Sequence, residues 1–184
     1  MSRSLQVRRE AMTVTPLGQA AITDISRNDD DGMEERVMFH MPTEVVTYGR
    51  TQHGLVTTPQ LIEAGVSHYS RRRLITTGAV LEVHRNVYRF ATAPDTLEQR
   101  CLAACLAVPD LAISGTSAGR LWQLRRMPSG PVHVMVKQRA LELDEAIVHR
   151  TNRLDPSLDV VTRADGIRVL SVPRLVFDLA RFLD

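Results

Sequence analysis

Hydrophobic and polar positions divide the chain into three stretches. Residues 1–42 carry no sustained periodicity and read as a disordered leader. From Glu44 the pattern sharpens: Val45, Val46 and Tyr48 predict a short helix ending near His53-Gly54. Leu55-Val56-Thr57 is a brief extended piece. Thr58-Pro59-Gln60 reads as an N-cap, a proline at the first helical position and a helix start; Leu61, Ile62 and Ala64 follow, and Gly65 stops the helix. Ser67 is a good N-cap for a further helix, His68 to Thr77, ended by Gly78. The period then switches to two. Leu81 and Val83 alternate with Glu82 and His84, Arg85-Asn86 makes a tight turn, and Val87-Tyr88-Arg89-Phe90 returns as a second strand. Helix, short helix, turn, helix and hairpin, closed by Pro94, is the order of a winged helix-turn-helix, assigned here to residues 43–94.

The stretch 95–184 reads as a small α+β domain with a mixed or antiparallel sheet. Thr96 to Val108 is helical, with Leu97, Cys101, Leu102, Cys105 and Leu106 on its apolar side, and Pro109-Asp110 breaks it. Ser117 to Leu124 predicts a short helix in which Leu121 and Trp122 pack. β-Branched content predicts strands at Val132–Val136, Ala146–Arg150, Val160–Thr162 and Ile167–Leu170, the last two joined by the turn Ala164-Asp165-Gly166. Pro173 opens a final helix, Arg174 to Leu183. The fold class is therefore α+β.

Charge sharpens this division. The chain has 184 residues, 23 basic and 21 acidic, for a net charge of +2; Lys137 is its only lysine. The leader holds five basic and seven acidic residues, including Asp29, Asp30 and Asp31. Residues 43–94 hold six arginines against Glu44, Glu63 and Glu82. The remainder, with twelve basic and eleven acidic groups, is nearly neutral. The basic excess thus falls on the unit built to read nucleic acid. Met33, Met38 and Met41 leave a later translation start open, which would remove the acidic leader.

At 100° per residue, Val66, Ser70 and Leu74 point toward the core of the winged unit. His68, Tyr69, Arg72, Arg73 and Thr76 point outward, with Arg71 at the boundary. Arginine on that face suits duplex DNA: it neutralises phosphates, and its planar fork reaches guanine O6 and N7 in the major groove. Ser67, at the helix N-terminus, is placed for a phosphate. His84, Arg85 and Asn86 form the wing tip, with Arg85 a candidate for the minor groove and Arg89 for the backbone. Candidate DNA contacts are therefore Ser67, His68, Tyr69, Arg71, Arg72, Arg73, Thr76, His84, Arg85 and Arg89.

Other chemistries fit less well. No run approaches the roughly 20 apolar residues of a membrane span, and no apolar segment follows Arg3, Arg8 and Arg9 to make a secretory signal. Cys101 and Cys105, one helical turn apart, read as packed thiols in a reduced, cytoplasmic protein. The histidines at 53, 68, 84, 133 and 149 lack metal-ligand spacing, and His133 reads as a packed or edge strand residue. The segment from Ser114 to Gly119 lacks the lysine of a phosphate loop. Asp155, Asp159 and Asp165 read as solvated turn residues. No enzyme activity, cofactor or metal is expected.

The residues that carry a family likeness are His53-Gly54-Leu55-Val56-Thr57, Gln60-Leu61, Ala64-Gly65-Val66-Ser67, Arg72-Arg73-Leu74, Thr77-Gly78 and Val83-His84-Arg85-Asn86-Val87-Tyr88. Together they resemble the winged-helix N-terminal domain of AbiEi-type antitoxins, regulators of type IV toxin–antitoxin systems. Ile113-Ser114, Leu121-Trp122, Val132-His133-Val134, Gly166 to Val169 and Ser171 to Arg174 extend the likeness to about residue 182. The resemblance implies a DNA-binding autorepressor acting on inverted repeats in its own promoter, a setting that suits a homodimer. It also implies a functional partner, a nucleotidyltransferase-like toxin. Two features depart from the family: the wing turn, commonly Arg-Gly, is Arg85-Asn86, and the chain stops four residues after Asp178-Leu179-Ala180, so the C-terminal unit reads as shortened. Two alternatives stand beside this reading: the front part of an endonuclease-containing relative, and a winged helix that binds protein.

Overall fold

The computed structural model describes residues 13–14, 20–21, 41–137 and 143–180. The expected leader, 1–42, therefore lies almost wholly outside the described residues. Within it β1 (Thr13–Val14) and β2 (Ala20–Ala21) form an antiparallel pair.

The winged unit comprises α1 (Thr43–Thr51), β3 (Leu55–Thr57), α2 (Thr58–Glu63), α3 (His68–Thr76), β4 (Val80–His84) and β5 (Val87–Phe90). The three strands make an antiparallel sheet in the order β3-β5-β4. Leu55–Thr57 is thus a full sheet member, which three residues of local pattern do not reveal. The N-cap of α2 is Thr57, one residue before the expected Thr58. Gln60 decides this: its side chain accepts from Thr57 N at 2.9 Å while Thr57 Oγ1 accepts from Gln60 N, a reciprocal capping box.

Period-two alternation gives the small sheet two apolar faces. Val56, Val80 and Tyr88 pack with Val45, Leu61 and Leu74 of the three helices and with Val66 of the α2–α3 turn. Leu55 and Val87 point the other way, into a larger core shared with α4 (Leu97–Ala107). The winged unit is therefore covered on both sides of its sheet.

Beyond α4 come β6 (Ala112–Ile113), α5 (Gly115–Leu121), β7 (Val132–Lys137), β8 (Ala146–Thr151), α6 (Pro156–Asp159), β9 (Val160–Thr162), β10 (Arg168–Leu170) and α7 (Val172–Leu179). The sheet runs β8-β7-β6-β10-β9. It is mixed: β7–β8 and β10–β6 are parallel, whereas β6–β7 and β10–β9 are antiparallel. Ile113, Val134, Ile167, Val169, Leu170 and Leu175 are its fully buried centre. The architecture is α+β. Cys101 and Cys105 are buried on α4, and burial raises both thiols above their ordinary range, so they pack rather than react.

Several local expectations change. α5 starts at Gly115, two residues before Ser117, and α7 starts at Val172; residues 181–184 lie outside the described set. β6 and α6 are too short to show a period. Asp155 is the N-cap of α6, accepting from Ser157 N at 2.9 Å. Asp159 and Asp165 are half-buried and paired rather than free in solvent. Asp159 accepts from Asp155 N at 2.9 Å and pairs with Arg174 at 3.5 Å. Arg168 donates to the carbonyls of Cys105, Val108 and Leu111, closing the C-terminal end of α4.

Asp165 ties the two units together. Its carboxylate meets His53 Nε2 at 3.3 Å and Arg163 at 3.2 Å, and accepts from Ile167 N. Burial alone would raise this carboxyl; the Ile167 N–H, His53 and Arg163 outweigh it and hold it below the usual carboxylate value. A folded-state value below the unfolded one stabilises the fold above the unfolded value, and that stability is lost as pH falls through the folded one. Asp165→Asn is therefore expected to lower stability at neutral pH. Its deficit relative to the parent chain should shrink below about pH 4, as read by urea unfolding at a series of pH values.

Candidate nucleic-acid interface

α3 is set by Ser67, whose Oγ accepts from Ser70 N at 3.1 Å and closes the helix start. Val66 and Leu74 anchor it to the small core. His68, Tyr69, Arg72 and Thr76 are exposed, and Tyr69 is 74% accessible. Arg73 is half-buried at the flank of this face. Arg71 turns inward: its guanidinium donates to the Val66 carbonyl at 2.8 Å, bracing the turn between α2 and α3. That bond fixes the guanidinium of Arg71, which periodicity places at the boundary of the outward face, against the backbone of the α2–α3 turn.

The wing tip is Arg85-Asn86, both exposed. Asn86 has φ of +64°, which asparagine tolerates. The tip is held at three points: Thr58 N donates to Asn86 O at 2.9 Å, Asn86 N donates to the Glu82 carboxylate at 3.1 Å, and Thr58 Oγ1 meets Asn86 Oδ1 at 3.2 Å. Thr58 and Glu82 thus shape the wing, a role visible only once α2 and the hairpin are brought together. Asn86→Gly should change stability by only a few tenths of a kcal/mol, because glycine adopts the left-handed region freely. Asn86→Val should cost about 1–3 kcal/mol, since a β-branched residue is strained there. Thermal unfolding of the two variants makes the comparison.

His84 and Arg89 do not join this face. Arg89 lies opposite Leu55 in the sheet, on the side turned toward α4, and its guanidinium donates to Ala93 O at 2.9 Å. His84 is half-buried in the same direction. Burial lowers its pKa, and Asp144 and Glu145 oppose that. Sequence proximity to the wing tip suggested DNA contact for both. The second face of the sheet, which the α4 unit covers, takes them instead.

His133 and His149 stand 16 residues apart in the sequence. The parallel register of β7 and β8 brings them together, with rings 5.2 Å apart and His133 Nδ1 3.0 Å from His149 Nε2. Burial and the neighbouring His149 lower the His133 pKa. Among the described residues no three His, Cys, Asp or Glu side chains assemble as a metal-binding group, and no helix is long and apolar enough to cross a membrane.

Comparison with known proteins places this geometry. Residues 49–91, from the end of α1 to the end of the hairpin, match the family of transcriptional regulators described as AbiEi antitoxin. This is the family read from the winged-helix residues. Among solved structures, the chain is similar to the RV2827C protein from Mycobacterium tuberculosis, with a TM-score of 0.51 and 19% sequence identity. The similarity covers 73% of this chain and 57% of that one, so the chain spans less than two thirds of its length. At this identity the likeness is one of fold. No functionally curated protein matches the sequence.

Proposed function

We propose that the chain is a cytoplasmic, sequence-specific DNA-binding regulator of antitoxin type, which represses its own promoter and opposes a nucleotidyltransferase-like toxin. In this reading residues 43–94 bind duplex DNA and residues 95–184 form the antitoxin-like unit. The observation that carries it is the solvent face of α3. His68, Tyr69, Arg72 and Thr76 stand exposed on a helix whose other side is locked to the core, within the segment that matches the regulator family. Arg72 reads a base edge or phosphate, the N-terminus of α3 at Ser67 receives a phosphate, and Arg85 at the wing tip contacts the neighbouring groove. Arg73 flanks the reading face. Arg71, His84 and Arg89 support this surface from behind. A homodimer would match the two halves of an inverted repeat.

An electrophoretic shift on the protein's own promoter fragment, run across a salt series, tests the proposal. Affinity should fall linearly in log–log form as salt rises. Absence of binding at about 50 mM salt, where phosphate contacts are strongest, would overturn it. Co-expression with the neighbouring toxin gene tests the antitoxin half. Growth rescue supports that half, and DNA binding without rescue removes it while leaving the regulator.

A further inference from the structure

The apolar surface of α7 is only half used by the core. At 100° per residue Leu175 and Leu179 point into the large core, and Arg174 and Asp178 lie on the same inner side. Arg174 reaches Asp159 at 3.5 Å, and Asp178 is buried and accepts from Gly115 N at 3.3 Å. Both charged residues of the helix thus turn inward. The opposite arc, about 140° wide, carries Val172, Pro173, Val176, Phe177 and Ala180, all exposed and none polar. Phe177 is 70% accessible, Val176 58% and Val172 44%. The solvent side of a helix ordinarily carries its polar residues, and here that order is reversed.

Leu158 of α6 extends the patch. It is 74% accessible, and Asp159 beside it accepts through its carbonyl from Ser171 N at 2.7 Å, one residue before Val172. Weighted by these accessibilities, the six side chains expose roughly 500 Å², the size of the largest apolar patches on monomeric proteins, which commonly mark interaction sites. Two such patches face to face would bury about 1,000 Å², the area at which a specific protein–protein contact begins.

We propose that this face of α7 and α6 joins two copies of the chain about a two-fold axis. A two-fold contact sets a patch against its own image, so a charge on it would be repelled by its copy. A patch without charge meets that requirement. The same property makes duplex DNA a poor occupant, since the patch offers phosphates no cation. The inference deepens the homodimer of the proposed regulator, and it is tested without DNA so that the two readings fail separately.

Sedimentation equilibrium of the full chain, over about 1–200 µM, tests the contact; an interface of this area is expected to give a reversible monomer–dimer equilibrium. Phe177→Glu places a carboxylate on both sides of the contact and should raise the dissociation constant at least about tenfold. Val176→Glu should do the same, and serves if Phe177→Glu fails to fold. Ile62→Glu, at an exposed apolar position of α2 outside the patch, should leave the dissociation constant unchanged. A parent chain still monomeric at about 200 µM overturns the proposal. So does a dimer that survives both α7 substitutions, or one that Ile62→Glu weakens equally. A monomeric parent chain that binds the neighbouring toxin, with that binding lost in Phe177→Glu, gives the face to the toxin and overturns the second copy as its occupant. A dimer that Phe177→Glu disrupts, in a chain that binds no promoter DNA, upholds the contact and removes the DNA-binding reading. Promoter binding by a chain that never dimerises does the reverse.

Discussion

Alanine at Arg72 is expected to weaken promoter binding by about one to two orders of magnitude, and alanine at Arg72 and Arg85 together by more. A bidentate arginine contact to a base edge is worth about 1–3 kcal/mol, a factor of roughly 5 to 150 in affinity. Arg72 is exposed on a helix held rigidly by Val66 and Leu74, so no other side chain moves in to replace it. The salt dependence tells the type of contact. Loss of a phosphate contact lowers the log–log slope by about one and acts equally on all sequences, whereas loss of a base contact relaxes discrimination at one position. Arg89→Ala is the informative control. Its guanidinium is turned to Ala93, so its effect on DNA affinity at a fixed folded fraction should be small. Binding unchanged in the Arg72/Arg85 double variant would remove α3 and the wing as the interface.

Leu74→Ala should have the largest effect on stability in the winged unit, a loss of about 2–5 kcal/mol. Leu74 is 2% exposed and is the residue through which α3 reaches the Val45–Val56–Leu61 cluster. That cluster is small, with Tyr88 and Val80 its sheet-side members, so collapse into the vacated space is limited and the cavity term stays near its full size. Against a typical total of about 5–15 kcal/mol the loss is severe. Differential scanning calorimetry should show it as a drop of roughly 4–20 °C, at about 2–4 °C per kcal/mol for a chain of this length. Unlike Arg72→Ala, this variant should recover DNA binding on cooling, when the folded fraction is restored. A melting temperature within a degree of the parent value would show that α3 is not anchored through Leu74.

Much of the fold was legible because it is local. The capping residue Ser67, the glycines at 65 and 78, and the period-two run from Leu81 each act within a few residues of where they stand, and α3, α4, β4 and β5 appear within a residue or two of their expected bounds. The element bounds that differ from expectation lie where local signals compete or are too short. Thr57 and Thr58 both suit an N-cap, and only the reciprocal bond with Gln60 selects Thr57. β6 and α6 are two and four residues long, shorter than any period that would announce them.

The candidate interface divides along the same line. Helical periodicity by itself determined which side of α3 faces outward, since Val66 and Leu74 must be buried and 3.6 residues per turn then place His68, Tyr69, Arg72 and Thr76 in solvent. Composition by itself determined that the basic excess belongs to the winged unit. Tertiary structure decided what each remaining group does. It folded Arg71 onto Val66, turned His84 and Arg89 toward α4, paired Asp165 with His53 across 112 residues, and stacked His133 on His149. These outcomes depend on which surfaces of two sheets meet. Burial rewards such contacts only after distant segments have docked, so no spacing along the chain encodes them.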